Sequence, residues 1–226
     1  MQNESLTRKC NMKNNFLLLL LAFQAAFFSG LGQNSWVLKK EKDSIRVYNR
    51  SNGHSKFNDL RVETIIKTSL SGLAAVILDI NNYPNWSFNT KTAYVLKQIS
   101  PSELYFYSEI NSPWPASNRD LAVHLHIMQE PASKVMHIKS DEVPNFIPRK
   151  ENIVRVPLSR ETWTVTPLDK TTIRIEYELE IDPGASAPAW LVNSFATKGP
   201  YETFKNLREQ IKLPKYRNAS FPFLIN

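Results

Sequence analysis

The segment Thr171–Ile181, TTIRIEYELEI, constrains the fold more than any other stretch of the chain. Ile173, Ile175, Tyr177, Leu179 and Ile181 alternate with Arg174, Glu176, Glu178 and Glu180. Successive side chains of a strand point to opposite faces, so this spacing predicts a β-strand with one apolar and one wetted face. The glutamate row is then a solvated strand face rather than a catalytic pair.

Strand patterns recur along most of the chain. They occupy two runs within Trp36–Tyr48, split by the turn signal Asp43-Ser44, and then Asp59–Thr68, which is rich in β-branched residues. They return at Thr92–Ile99, Glu103–Ile110, Leu121–Met128 and Lys134–Ser140, and in the short runs NIVRV and RETWTVTP. The period changes twice. Leu70, Leu73, Ala74, Ile77 and Ile80 have helical spacing, with Ser69 or Ser71 placed to cap the start and Pro84 to limit the end. Trp190, Leu191, Ser194 and Phe195, then Tyr201, Phe204, Leu207, Arg208 and Ile211, predict a long amphipathic C-terminal helix interrupted near Gly199-Pro200. The tail from 214 has no clear period and reads as an edge packing segment or as disordered.

Many antiparallel strands with one early and one late helix predict an α+β fold. No repeat, low-complexity tract or linker divides the chain, so residues 33–213 read as one domain followed by the tail 214–226. The 11% aromatic content suggests a large apolar interior or pocket.

The N-terminus is set apart. Arg8, Lys9 and Lys13 precede the 13-residue apolar stretch Phe16–Phe28, and Gly30 and Gly32 lie just before Gln33. This is the three-part pattern of a secretory signal peptide over 1–32, too short in its apolar part for a bilayer span of roughly 20 residues. Met12 is a second candidate start. Cleavage leaves 25 basic and 20 acidic residues, a net charge of +5, and removes Cys10, the only cysteine. The exported chain, periplasmic or secreted, then has no thiol nucleophile and no disulfide. No Lys/Arg run exceeds two residues, so nucleic acid is not indicated as a partner.

The stretch INSPWPASNRD, Ile110–Asp120, invites a catalytic reading. Pro113 and Pro115 restrict the neighbours of Trp114. Adjacent strand residues point to opposite faces, so Arg119 and Asp120 do not converge on one substrate. Asn118 and Asp120 read as structural, with Asp120 accepting hydrogen bonds from the loop backbone. His124, His126 and His137 read as outer-face residues rather than a metal site. No Gly-x-Ser-x-Gly, His-Glu-x-x-His or phosphate-cradling glycine loop is present. Catalytic residues, metal ligands and cofactors are therefore not assigned.

Four stretches, in order, carry a family resemblance: WVLKKEKDSIRVYNR, LAAVILDINNYPNW, PWPASNRD and PAWLVNSFATKGPYETFKNLR. Together, from Trp36 to Ile211, the chain resembles the START family, the steroidogenic-acute-regulatory-protein-related lipid transfer domains. The resemblance implies a helix-grip fold, in which a curved antiparallel sheet wraps a long C-terminal helix around an internal apolar cavity for one lipid. It places loop 111–118 at the cavity mouth as a gate with Trp114. It turns apolar rows that read by themselves as ordinary core into candidate cavity walls: Phe106 and Ile110; Leu121, Val123, Leu125 and Ile127; Ile175, Tyr177 and Leu179; Trp190 and Phe195. Arg155 becomes a candidate head-group partner, and Arg119 either that or a brace. Cholesterol-binding relatives carry an arginine where this chain has Leu125, which puts a sterol ligand in doubt. The implied role is to bind a lipid or other hydrophobic ligand and transfer it between membranes, as a monomer with transient membrane contact. The alternatives are a cavity enzyme of the polyketide cyclase/aromatase type, or a ligand-sensing module.

Overall fold

The computed structural model describes residues 35–226, apart from 52, 54–56, 185–186, 188–191 and 193. The segment 1–32 and Trp190 therefore lie outside the described residues. The chain divides into Met1–Ser35 and Trp36–Asn226, and every element below belongs to the second unit.

The strands are β1 (Val37–Lys42), β2 (Ile45–Arg50), β3 (Asp59–Ile66), β4 (Thr90–Ser100), β5 (Glu103–Ile110), β6 (Arg119–Gln129), β7 (Met136–Glu142), β8 (Val154–Arg155), β9 (Leu158–Asp169) and β10 (Thr172–Asp182). They form one curved sheet in the order β1-β2-β3-β10-β9-β7-β6-β5-β4, antiparallel throughout, and β8 lies parallel to β6. The alternating segment Ile173–Ile181 lies in β10, between β3 and β9. Its Ile173 and Ile175 are fully buried, while Arg174 and Glu176 are exposed. On the wetted face Arg61 of β3 donates to Glu178.

Helix α1 (Leu70–Leu78) begins where Ser69 Oγ accepts from the Gly72 N–H at 3.1 Å. It ends at Asp79, ahead of the expected limit at Pro84. An α-helix running into Pro84 would drive the proline ring against the Ile80 carbonyl. The chain tightens instead into a 3-10 helix, Ile80–Asn85, with Pro84 inside it.

The long C-terminal helix is two pieces. A π-helical turn, Ser194–Lys198, leads into α2 (Gly199–Gln210). The break predicted near Gly199-Pro200 is this junction, and Pro200 falls in the first turn of α2, where its missing N–H is not needed. The face of α2 carrying Tyr201, Phe204 and Leu207 is buried. The Phe204 ring packs 5.2 Å from Trp163 of β9 and 5.4 Å from Tyr177 of β10. Tyr201 donates its hydroxyl proton to Asp43 Oδ2 at 2.5 Å, and Arg208 donates to the Asp43 carbonyl and Thr64 Oγ1. These bonds fasten α2 to the β1–β2 turn and complete the helix grip.

The tail is a packing segment. A short helix α3 (Pro214–Arg217) buries Tyr216, whose hydroxyl donates to Asp79 Oδ2 at 2.8 Å. Leu224 joins the core, and Asn226 Oδ1 accepts from the Ser71 N–H at 2.9 Å. Among the described residues no helix is long and apolar enough to cross a membrane.

Candidate functional site

A cavity of about 360 Å³ lies against one face of this sheet, walled on its other side by residues of α1, the 3-10 helix and α2. Strand parity selects its walls. Phe106, Ser108 and Ile110 come from β5, Arg119, Leu121 and Val123 from β6, Ser159, Glu161 and Trp163 from β9, and Tyr177, Leu179 and Ile181 from β10. Ile77, Tyr83, Trp86, Thr203 and Phe204 close the helical side. The wall is mostly apolar with a few polar groups, the usual make-up of a small-molecule site, and its volume is near the lower end of the range of about 300–1,000 Å³.

Of the residues expected in the wall, Phe106, Ile110, Arg119, Leu121, Val123, Tyr177 and Leu179 are there. Leu125, Ile127 and Ile175 are not. Leu125 pairs with Leu104 and Ile127 with Ile138, all buried, so this end of the sheet face is filled by side chains. Ile175 is fully buried in the same core. Of Phe195 only the backbone is described, and Trp190 is outside the described residues. Trp114 is 92% exposed, in the loop rather than in the wall.

Loop 111–118 joins β5 to β6. The Asn111 N–H donates to the Asn89 carbonyl at 2.8 Å. Asn118 Oδ1 accepts from the Ser112 N–H at 3.1 Å, and its Nδ2 donates to Glu109 Oε1 at 2.7 Å. Lys91 Nζ donates to the same oxygen at 2.8 Å. Asn118 thus clamps both ends of the loop.

Two expectations require correction. Asp120 does not take its hydrogen bonds from the loop backbone; it receives two from Arg155, Nε to Oδ1 at 2.8 Å and Nη2 to Oδ2 at 3.1 Å. Arg155, expected at a head group, is spent on this pair and on the carbonyls of Pro144, Ile147 and Pro148. The hydrogen bond to Asp120, followed by that residue's charge, raises the Arg155 pKa further. By parity the pair lies on the face opposite Arg119 and Leu121. It pins the 144–148 segment to the outside of the sheet. The histidines belong to that outer side as well: His124 stacks on Tyr105 and bonds Glu103, and His137 bonds Glu130.

Sequence reasoning missed Glu161. It shares a strand face with Trp163 and Val165, and that parity is the signal that could have found it. Burial pushes its carboxyl up to about 7, although the Trp163 indole N–H and the Tyr177 hydroxyl donate to it. Burial, with Glu161 nearby, likewise holds the Tyr177 and Tyr83 hydroxyls well above the usual tyrosine range. Tyr83 donates to the Ile77 carbonyl at 2.8 Å.

Comparison with known proteins matches this geometry. A family model described as the START domain matches residues 29–217. An uncharacterised protein of Pseudomonas aeruginosa is 31% identical over 196 residues, which is 85% of this chain and 96% of that protein. The mouse phosphatidylcholine transfer protein is 24% identical over 177 residues, covering 76% of this chain and 81% of its own length. The crystal structure of a STAR-related lipid transfer protein fragment from Xanthomonas axonopodis superposes with a TM-score of 0.73 at 29% identity, over 79% of this chain and 99% of that one.

Proposed function

The chain belongs to the START domain family, and from that premise we propose that it carries one lipid-like molecule in its cavity and moves it between membranes. The observation that carries this reading is the cavity itself: about 360 Å³, walled chiefly by aromatic and aliphatic side chains between sheet and helix. Removing apolar ligand surface from water gains about 25 cal/mol per Å², so uptake needs no covalent step. Relatives named as lipid transfer proteins support the same role. We further propose export, from the signal-peptide pattern of residues 1–32.

Native mass spectrometry of the protein purified from expressing cells is expected to show a chain beginning at Gln33 with one lipid bound. The purified protein should also speed lipid exchange between vesicles. A chain without bound lipid that leaves exchange at the background rate refutes the transfer role.

Membrane contact is proposed for the loop tip. Trp114 offers an amphipathic ring to solvent at 92% exposure, the kind of side chain that settles at membrane interfaces. Trp114→Ala is expected to slow vesicle exchange several-fold. It should change unfolding free energy by less than about 0.5 kcal/mol, the usual range for an exposed site. Unchanged exchange, or a large stability loss, would remove the gate role.

A further inference from the structure

We infer that the cavity's ligand carries an anionic group, a phosphate or a carboxylate, held by Arg119 at the β5–β6 end of the cavity. This rests on the lipid-binding reading above and names the ligand's chemistry.

Arg119 is only 5% exposed and lines the cavity. No carboxylate among the described residues lies within ion-pair distance of it. Its Nη1 donates to Ser112 Oγ at 3.3 Å and to the Ser117 carbonyl, while its Nε is buried with no partner. Bracing the loop therefore accounts for Nη1 alone. Burial lowers the Arg119 pKa, but a guanidinium stays charged at neutral pH. A buried charge is ordinarily paired. The same sheet shows what pairing looks like, because Arg155, equally buried, has Asp120 across two hydrogen bonds. Arg119 has the burial without the acid.

Among the described residues Glu161 is the other one of charged type in the wall, and it does not serve as that acid. Through the register Glu161–Ser140–Leu125 it lies level with Leu125, six residues along β6 from Arg119. At about 3.3 Å per residue that is roughly 20 Å along the strand. Between them the wall is apolar, with Phe106, Leu121 and Val123, or carries neutral hydroxyls such as Ser108 and Ser140. An anion-seeking end on a mostly apolar chamber, with Glu161 set far from it, fits an amphiphile with a single anionic head. Phosphate and carboxylate both match the planar fork of a guanidinium.

The test uses protein expressed from the full-length gene, stripped of bound ligand, with fluorescence of the wall residues Trp86 and Trp163 as the signal. Oleic acid and oleoyl lysophosphatidic acid are expected to bind at least tenfold more tightly than oleyl alcohol. Arg119→Gln should erase that difference, and Arg119→Lys should keep most of it. Should Arg119→Gln fail to fold, the wild-type comparison with the Arg119→Lys titration still decides. Oleyl alcohol binding as tightly as the anions overturns the inference and leaves lipid binding standing, as does an Arg119→Gln change that weakens every ligand equally. Inorganic phosphate saturating the protein without displacement by any amphiphile assigns Arg119 to a free anion and overturns the inference. Failure of all three amphiphiles to bind overturns it together with the lipid-binding reading.

Discussion

Arg155→Met is expected to destabilise the protein by about 3–5 kcal/mol, because it leaves the Asp120 carboxyl buried without its partner. The side chains of both partners are essentially inaccessible, at 0% and 1% exposure. Asp120 would lose both of its hydrogen bonds to the guanidinium, and the carbonyls of Pro144, Ile147 and Pro148 would lose their donor. For a chain of this size each kcal/mol moves the midpoint by about 2–4 °C, so Tm should fall by roughly 10 °C. The double change Asp120→Asn with Arg155→Met should cost less than the sum of the single changes, since it leaves no uncompensated charge. Limited proteolysis should open the 144–153 segment in Arg155→Met before the rest of the fold is cut. A loss below about 1 kcal/mol in urea unfolding would contradict the fastening role, because that is what a solvent-screened surface pair contributes.

This pair also shows what sequence could not reveal. Asp120 and Arg155 are 35 residues apart, joined by the parallel pairing of β6 and β8, and β8 is only two residues long. Neither composition nor period marks a bridge of that kind. Strand parity, by contrast, was legible: it separated Arg119 from Asp120 and put Ile173, Ile175 and Tyr177 on one buried face. Parity could not say which inward residues face empty space. Val123 and Leu125 are both inward on β6, yet Val123 lines the cavity and Leu125 packs against Leu104. What packs opposite each residue makes that difference, and it depends on long-range contacts. The split of the last helix was readable at Gly199-Pro200, but the π-helical turn before it was not, since its spacing still passes for a 3.6 period. Glu161 was passed over because an acid among threonines looks like a solvated strand position until Trp163 beside it is known to be buried.

Glu161 gives a pH dependence of defined sign. Its carboxyl moves from the ordinary 4.5 to about 7 on folding, because the folded state surrounds it with the cavity wall. Between those values the unfolded chain has released the proton and the folded chain still holds it. Stability therefore falls as pH rises through this window, and the contribution present below pH 4.5 is gone above about 7. At about 1.4 kcal/mol per pH unit the ceiling is roughly 3.5 kcal/mol, and solvent reaching the cavity brings the expectation nearer 2. Glu142 of β7 is also pushed by burial to about 7, so the wild-type slope contains both groups and a variant is needed to separate them. Glu161→Gln keeps a carbonyl acceptor for Trp163 and Tyr177 while removing the proton exchange. It should match wild type in urea unfolding near pH 4.5 and exceed it by about 2 kcal/mol at pH 8, a gain of several degrees in Tm. The remaining pH slope should shrink again in Glu142→Gln. If Glu161→Gln instead lost stability equally at both pH values, the carboxylate would be acting as a bound acceptor throughout, and its placement as a group held neutral inside the cavity would be wrong.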